Sequence, residues 1–195
     1  DAMPTPEERL RLFGVARQLF AWDSYHEIGI DHFARTTDGL AMAQRLGRLR
    51  RNFQGYTDDT SEVLVGLGAS SISRFPQGYA QNASATAAHT KAIRDGRFST
   101  HRGHVFAGED LLRARIIEAL MCDFAVDRAE LLRDFGVTAA RVDTLFRDAA
   151  AGFEDLVQVT DGVLTISPKG RPLTRMIARA FDEYDQSKAQ HSAAV

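Results

Sequence analysis

The sequence predicts an α/β region over residues 1–95, a linker at 96–108, and an α+β region of helices with a β-hairpin over 109–195. Three observations carry this expectation. Helix-like and strand-like stretches alternate through the first part of the chain, the order that builds a parallel sheet with crossover helices. From Glu109 onward amphipathic helical patterns follow one another. Near the end, Asp161-Gly162 separates two alternating runs, which is the signal of a type I′ hairpin.

Taken in order, Pro6 to Ser24 reads as a helix because Leu10, Phe13, Ala16, Leu19 and Phe20 recur at three-to-four spacing. Tyr25 to Ile28 is a short extended stretch, with Asp31-His32-Phe33 where it would end. A second helix over Asp38–Leu46 is closed by Gly47, a position where a residue without Cβ is favoured. Asn52 to Tyr56 and Val63 to Ser70 are bounded by turn residues and read as buried strands or strand ends. Small and polar residues around Ala80 to Gly108 predict the linker. Beyond it, Leu112, Ile116 and Leu120 stripe a long helix, a shorter helix over Arg128–Phe135 stops at Gly136, and Thr138 caps the next. The hairpin spans 156–167, and a last helix from Pro172 to Tyr184 leads into a polar tail. Three helices, a hairpin and a further helix is a winged-helix-like order. The first region is too short for a complete eight-stranded barrel, which takes roughly 250 residues.

Composition narrows the function classes. A formal charge of −2 and a pI near 6.3 lack the basic excess of a dedicated nucleic-acid binder. No apolar run approaches the roughly 20 residues that cross a bilayer, so no membrane partner is expected. The first residues, Asp1-Ala2-Met3-Pro4-Thr5-Pro6, carry no secretory signal, which makes the cytoplasm the expected location. Cys122 is the single cysteine, so these 195 residues hold neither a disulfide nor a multi-cysteine metal site. It sits among Leu120, Met121 and Phe124 and reads as a buried, inert thiol. His101 and His104 have no third ligand nearby in sequence. Gly66-Leu67-Gly68 does not continue as a dinucleotide fingerprint, and close backbone approach in a strand is the simpler reading.

The run Arg51-Asn52-Phe53-Gln54-Gly55-Tyr56-Thr57, preceded by Asp31-His32-Phe33-Ala34 and followed by Gly66-Leu67-Gly68-Ala69-Ser70-Ser71-Ile72-Ser73, resembles the later half of the oxygen-independent coproporphyrinogen III oxidases. Tyr79-Ala80-Gln81-Asn82 and, more loosely, Thr165 to Leu173 continue the resemblance in order, so it covers essentially the whole chain. It implies a partial TIM-like barrel, whose last strands and helices are residues 1–95, followed by the winged-helix-like domain. It also implies a radical S-adenosylmethionine (SAM) oxidoreductase. In that family a 4Fe-4S cluster, held by a CxxxCxxC loop, cleaves SAM reductively. The deoxyadenosyl radical formed abstracts hydrogen from propionates of coproporphyrinogen III, and loss of carbon dioxide and an electron leaves the vinyls of protoporphyrinogen IX. The cluster loop has no counterpart here, so the resemblance makes this chain a fragment, inactive alone. Its implied partners are coproporphyrinogen III, the missing N-terminal half of the barrel and an electron-donor protein.

By the same resemblance Phe53, Gln54 and Ile72 match positions lining the SAM sites. Gln54 offers a donor and an acceptor, and Phe53 and Ile72 offer apolar walls. Without the motif, spacing alone favours Phe53 and Ile72 as barrel core; the motif match reverses that preference. His32, Gln54 and Ile72 are expected at the C-terminal ends of strands, where barrels bind ligands. Arg51 is a candidate to pair with substrate propionates through its guanidinium, against a solvated Arg50-Arg51 surface pair. His32 is either a pocket residue near the substrate or a histidine bonded within a barrel layer. Arg171, Arg175 and Arg179 recur every four residues and read as a solvated helix face. No residue is assigned a catalytic or metal-ligating role. Two other readings stand beside the oxidase. One is a fragment of the related haem chaperones, which carry a different aromatic pair where this chain has Asn52-Phe53-Gln54. The other is a non-enzymatic interaction module over 105–195.

Overall fold

The computed structural model describes residues 3–184. In chain order the elements are α1 (Pro6–Trp22), β1 (Tyr25–Ile28), β2 (His32–Arg35), α2 (Gly39–Arg45), β3 (Arg50–Asn52), β4 (Gly55–Thr57), β5 (Ile72–Phe75), β6 (Gly78–Asn82), α3 (Thr86–Arg94) and β7 (Thr100–Val105). They continue with α4 (Asp110–Asp123), β8 (Ala125–Asp127), α5 (Arg128–Phe135), α6 (Ala139–Gly152), β9 (Val157–Thr160), β10 (Val163–Ile166), a 3₁₀ turn (Arg171–Leu173) and α7 (Thr174–Arg179). Two compact units result: the chain up to Asp58 together with that from Leu112 onward, and Asp59–Leu111.

In the first unit, α1 starts on a reciprocal cap. Glu8 donates its backbone N–H to the Thr5 hydroxyl, the Glu8 carboxylate accepts from the Thr5 N–H, and Pro6 occupies the first turn. None of its residues is buried; Phe13 and Phe20 touch Phe33 of β2 at ring-centroid distances of 6.4 and 4.5 Å. Asp38 caps α2 by accepting from Leu40 N at 2.8 Å. Ile28, Ala34, Ala41, Ala43, Leu49 and Cys122 form a small core between these elements. The larger core joins α4, α5, α6, α7 and a three-stranded sheet of order β8-β10-β9, through Ile116, Leu120, Leu131, Phe146, Leu164 and Ile177. Each such side chain contributes about 1.5–3 kcal/mol on full burial, so this larger core is the main stabiliser of the unit. The Asp161-Gly162 turn forms as expected, with φ of 52° and 81°, and pairs Val163 with Thr160.

The second unit is an antiparallel sheet of order β5-β6-β7 with α3 beside it in sequence. Gly78 and Gly103 allow the strands to close up, since a Cβ at Gly78 would lie 2.0 Å from the His104 carbonyl oxygen. His89 meets the buried Ser99 at 2.6 Å and ties α3 to the start of β7.

Several expectations are corrected. Every strand pairing among the described residues is antiparallel, not parallel. Only two or three residues separate β1 from β2, β3 from β4 and β5 from β6, whereas a parallel crossover takes a dozen or more. Val63 to Ser70 is not a buried strand: only Leu64 bridges to Arg74, and Val63, Val65 and Leu67 are exposed. Positive φ at Gly68 and Ser70 breaks the extended backbone there. Residues 100–105, within the stretch read as a linker, form β7. The last helix is shorter than expected, ending at Arg179, and the tail from residue 185 lies outside the described residues.

Candidate functional site

Arg51, Phe53, Gln54 and His32 all belong to the first unit, and two hairpins position them. Phe53 and Gln54 are the two-residue turn between β3 and β4. Asn52 holds that turn by accepting from Gln54 N at 2.8 Å, and Gly55 completes it at φ +142°, where a side chain would strain the backbone. Both turn side chains stand exposed, Phe53 at 54 %.

His32 opens β2 and Ile72 opens β5, so neither sits at the C-terminal end of a strand. Antiparallel hairpins, which run both ways across an edge, replace the parallel strands on which that expectation rested. Ile72 is in the second unit, half-buried and paired with Gln81. The Gly66–Ser71 loop before it is pinned by side chains: Asn82 Nδ2 donates to the carbonyls of Gly66 and Gly68 at 3.4 and 2.9 Å, and the Ser73 hydroxyl accepts from Gly66 N at 3.0 Å. The Gln81-Asn82 part of the quoted motif thus supports the glycine loop.

Tyr56 joins the two hairpins. Its hydroxyl donates to the Met121 carbonyl at 2.8 Å and accepts from Ile30 N at 2.9 Å. The His32 ring stands edge-on to it at 5.0 Å, and the Arg51 guanidinium lies over its face at 5.6 Å. Gly29 admits the phenol ring: at φ +56°, a Cβ there would sit 2.1 Å from Tyr56 Cζ. Burial pushes the Tyr56 pKa up to about 12, opposed by the hydrogen bond from Ile30. The phenol is therefore a neutral structural post.

Arg51 donates its backbone N–H to Glu118 at 3.3 Å, while its side-chain Nε is buried with no hydrogen-bond partner among the described residues. Asp31 is a member of the cluster that reading by residue type passes over. Its Oδ1 lies 2.8 Å from His32 Nδ1 and its Oδ2 accepts from Arg175 Nη2 at 2.6 Å. Arg175, expected on a solvated face, is thus an ion-pair partner 144 residues away in sequence. Arg171 stacks over Phe124 at 4.5 Å. Both Asp31 and Tyr56 lie inside the quoted motifs, which is the signal that could have found them.

Cys122 is buried and its thiol is pushed up to about 12 by burial, reinforced by the negative charges of Glu118 and Asp123. Among the described residues no three His, Cys, Asp or Glu side chains group as a metal site. No helix among them is long and apolar enough to cross a membrane.

No family model matches the chain. It is 63% identical over all its residues to the oxygen-independent coproporphyrinogen III oxidase of Paracoccus denitrificans, of which it covers 43%. The enzyme of the same name from Cereibacter sphaeroides is 57% identical over 95% of the chain, and that of Escherichia coli 33% identical over 96%, with 41% and 42% of those proteins covered. The chain thus spans less than half the length of these relatives. The solved structure of coproporphyrinogen III oxidase from Escherichia coli, described as a radical SAM enzyme, superposes with a TM-score of 0.85 at 32% identity, over 93% of this chain and 42% of that one. In sequence and in fold, then, the chain is similar to part of the oxygen-independent coproporphyrinogen III oxidases, the family its motifs resemble.

Proposed function

We propose that the chain works as the C-terminal portion of a cytoplasmic radical SAM oxidoreductase of anaerobic haem synthesis. The reaction oxidatively decarboxylates two propionates of coproporphyrinogen III to vinyls and gives protoporphyrinogen IX. The observation that carries this reading is the 63% identity to a coproporphyrinogen III oxidase over every residue of the chain.

The residues present fit one cofactor and not the other. A lone buried cysteine held protonated cannot ligate a 4Fe-4S cluster, so the cluster's ligands would come from sequence outside these 195 residues. SAM suits the β3–β4 turn: the exposed Phe53 ring would wall the adenine or thioether, and the Gln54 amide would bond its polar groups. When bound, SAM supplies the radical precursor. The resemblance gives Ile72, in the other unit, a place in the lining of a SAM site, and Arg51, whose buried Nε has no hydrogen-bond partner among the described residues, would turn its guanidinium toward a propionate. Residues 1–95 would finish a (β/α) barrel with antiparallel hairpins rather than with further parallel strands. Helices α4 to α6 with the β8-β10-β9 sheet, whose β8 lies between α4 and α5, support a winged-helix-like domain, for which docking of an electron-donor protein is the role we favour.

The test joins this chain to the N-terminal part of the Paracoccus denitrificans relative, reconstitutes iron anaerobically and follows protoporphyrinogen IX after oxidation by its fluorescence. Turnover is expected from the joined protein and none from the 195-residue chain alone. Phe53→Ala and Gln54→Ala should each weaken SAM binding by about tenfold, one lost contact, while leaving Tm unchanged because both side chains are exposed. A joined protein that holds iron and SAM yet makes no product, or turnover by the chain alone, would sink the reading.

A further inference from the structure

We propose that Asp31 is a positioning residue. It fixes His32 as the Nδ1–H tautomer, so that Nε2 is held as an open acceptor beside the Phe53-Gln54-Gly55 turn for an N–H donor on the ligand bound there. The inference rests on the ligand role proposed for Phe53 and Gln54 and adds to that site a group whose job is to receive a proton donor, such as an amino or ammonium group.

The chemistry of Asp31 decides the tautomer. A carboxylate only accepts hydrogen bonds, so the contact of 2.8 Å between Asp31 Oδ1 and His32 Nδ1 requires the proton to be on Nδ1. In the neutral ring the lone pair is then on Nε2. Arg175 occupies the other oxygen at 2.6 Å, which stops the carboxylate from rotating both oxygens away from the ring. One oxygen is clamped and the other serves the histidine.

The surroundings leave Nε2 free to act. No hydrogen bond to it is found among the described residues. The Tyr56 hydroxyl cannot compete, because it is spent on Ile30 and Met121. Residue 55 decides whether the nitrogen is reachable: a Cβ there would stand 3.3 Å from Nε2 and 3.6 Å from Cε1, so glycine keeps that edge of the ring open. The three side chains of the relay are 38–46% exposed, which makes the ion pair and the imidazole contact weak contributors to stability. A relay that stabilises little yet orients a ring toward an aromatic-and-amide turn is better explained by what the ring faces.

Nitrogen-15 spectra of the imidazoles of the 195-residue chain at about pH 9, above the ordinary titration range of the ring, read the tautomer directly. His32→Gln assigns the signal. The wild-type ring should carry its proton on Nδ1, Asp31→Ala should lose that preference, Asp31→Glu should restore part of it, and Arg175→Ala should weaken it. SAM binding to the joined protein, followed by calorimetry, should fall roughly threefold to tenfold in Asp31→Ala, the worth of one hydrogen bond. In Gly55→Ala it should fall with the tautomer kept. A proton on Nε2 in the wild type, or a tautomer that Asp31→Ala leaves unmoved, overturns the inference whatever the ligand proves to be. A locked tautomer with a joined protein that takes up no SAM overturns instead the ligand reading on which the inference rests.

Discussion

Replacing Tyr56 by Phe removes one oxygen and strands two partners, the Ile30 N–H and the Met121 carbonyl, at 2.9 and 2.8 Å from it. A buried group left without its hydrogen bond costs about 1–3 kcal/mol. Both contacts are only partly buried, which puts each at the low end and the pair at about 2 kcal/mol. For a protein of this size that lowers Tm by about 4–8 °C, measurable by circular dichroism. The ring stays, so its packing against Gly29 and His32 is not disturbed. A second signature separates the hydroxyl from the ring. The folded state raises the Tyr56 pKa from 10.0 to about 12, so over that window the unfolded chain gives up its proton while the folded chain keeps it. Stability from this group is complete below pH 10 and is lost as pH rises toward 12. Wild type should show that loss and Tyr56→Phe should lack it. A Tm within a degree of wild type, with the alkaline slope unchanged, would refute the assignment of Tyr56 as the post between the hairpins.

Two further outcomes follow from the same part of the molecule. Gly29→Ala should destabilise far more than Gly47→Ala: both have positive φ, at a cost of about 1–2 kcal/mol for alanine, but the new methyl meets the Tyr56 ring at 29 and open space at 47. Equal Tm losses in the two variants would contradict the close approach. Cys122, buried and held protonated, should resist iodoacetamide at neutral pH in the native chain and react fully in urea, as read by mass spectrometry; rapid native labelling would place the thiol at the surface.

What the sequence reveals here is what neighbours in the chain decide. The hairpin at Asp161-Gly162, the cap at Thr138 and the stop at Gly136 are set by a few adjacent residues, and each forms as read. Strand direction is different. The short runs at 25–28 and 50–57 carry no pattern that tells parallel from antiparallel pairing, and only the brevity of the β1–β2 and β3–β4 connections, two or three residues, forces antiparallel pairing. Strand β8 is three residues long, too short for alternation to register, and exists because β10 supplies its partner. The candidate site divides along the same line. Phe53 and Gln54 are brought together by adjacency, whereas Arg175 reaches Asp31 across 144 residues and Tyr56 reaches Met121 across 65, contacts that no local pattern encodes.

That one phenolic oxygen serves three stretches of chain also constrains how such a protein can change in length. An insertion in the turn after β1, in the β3–β4 hairpin or toward the end of α4 would move one partner off an atom that the other two still need. The three lengths are therefore locked to one another like the legs of a tripod.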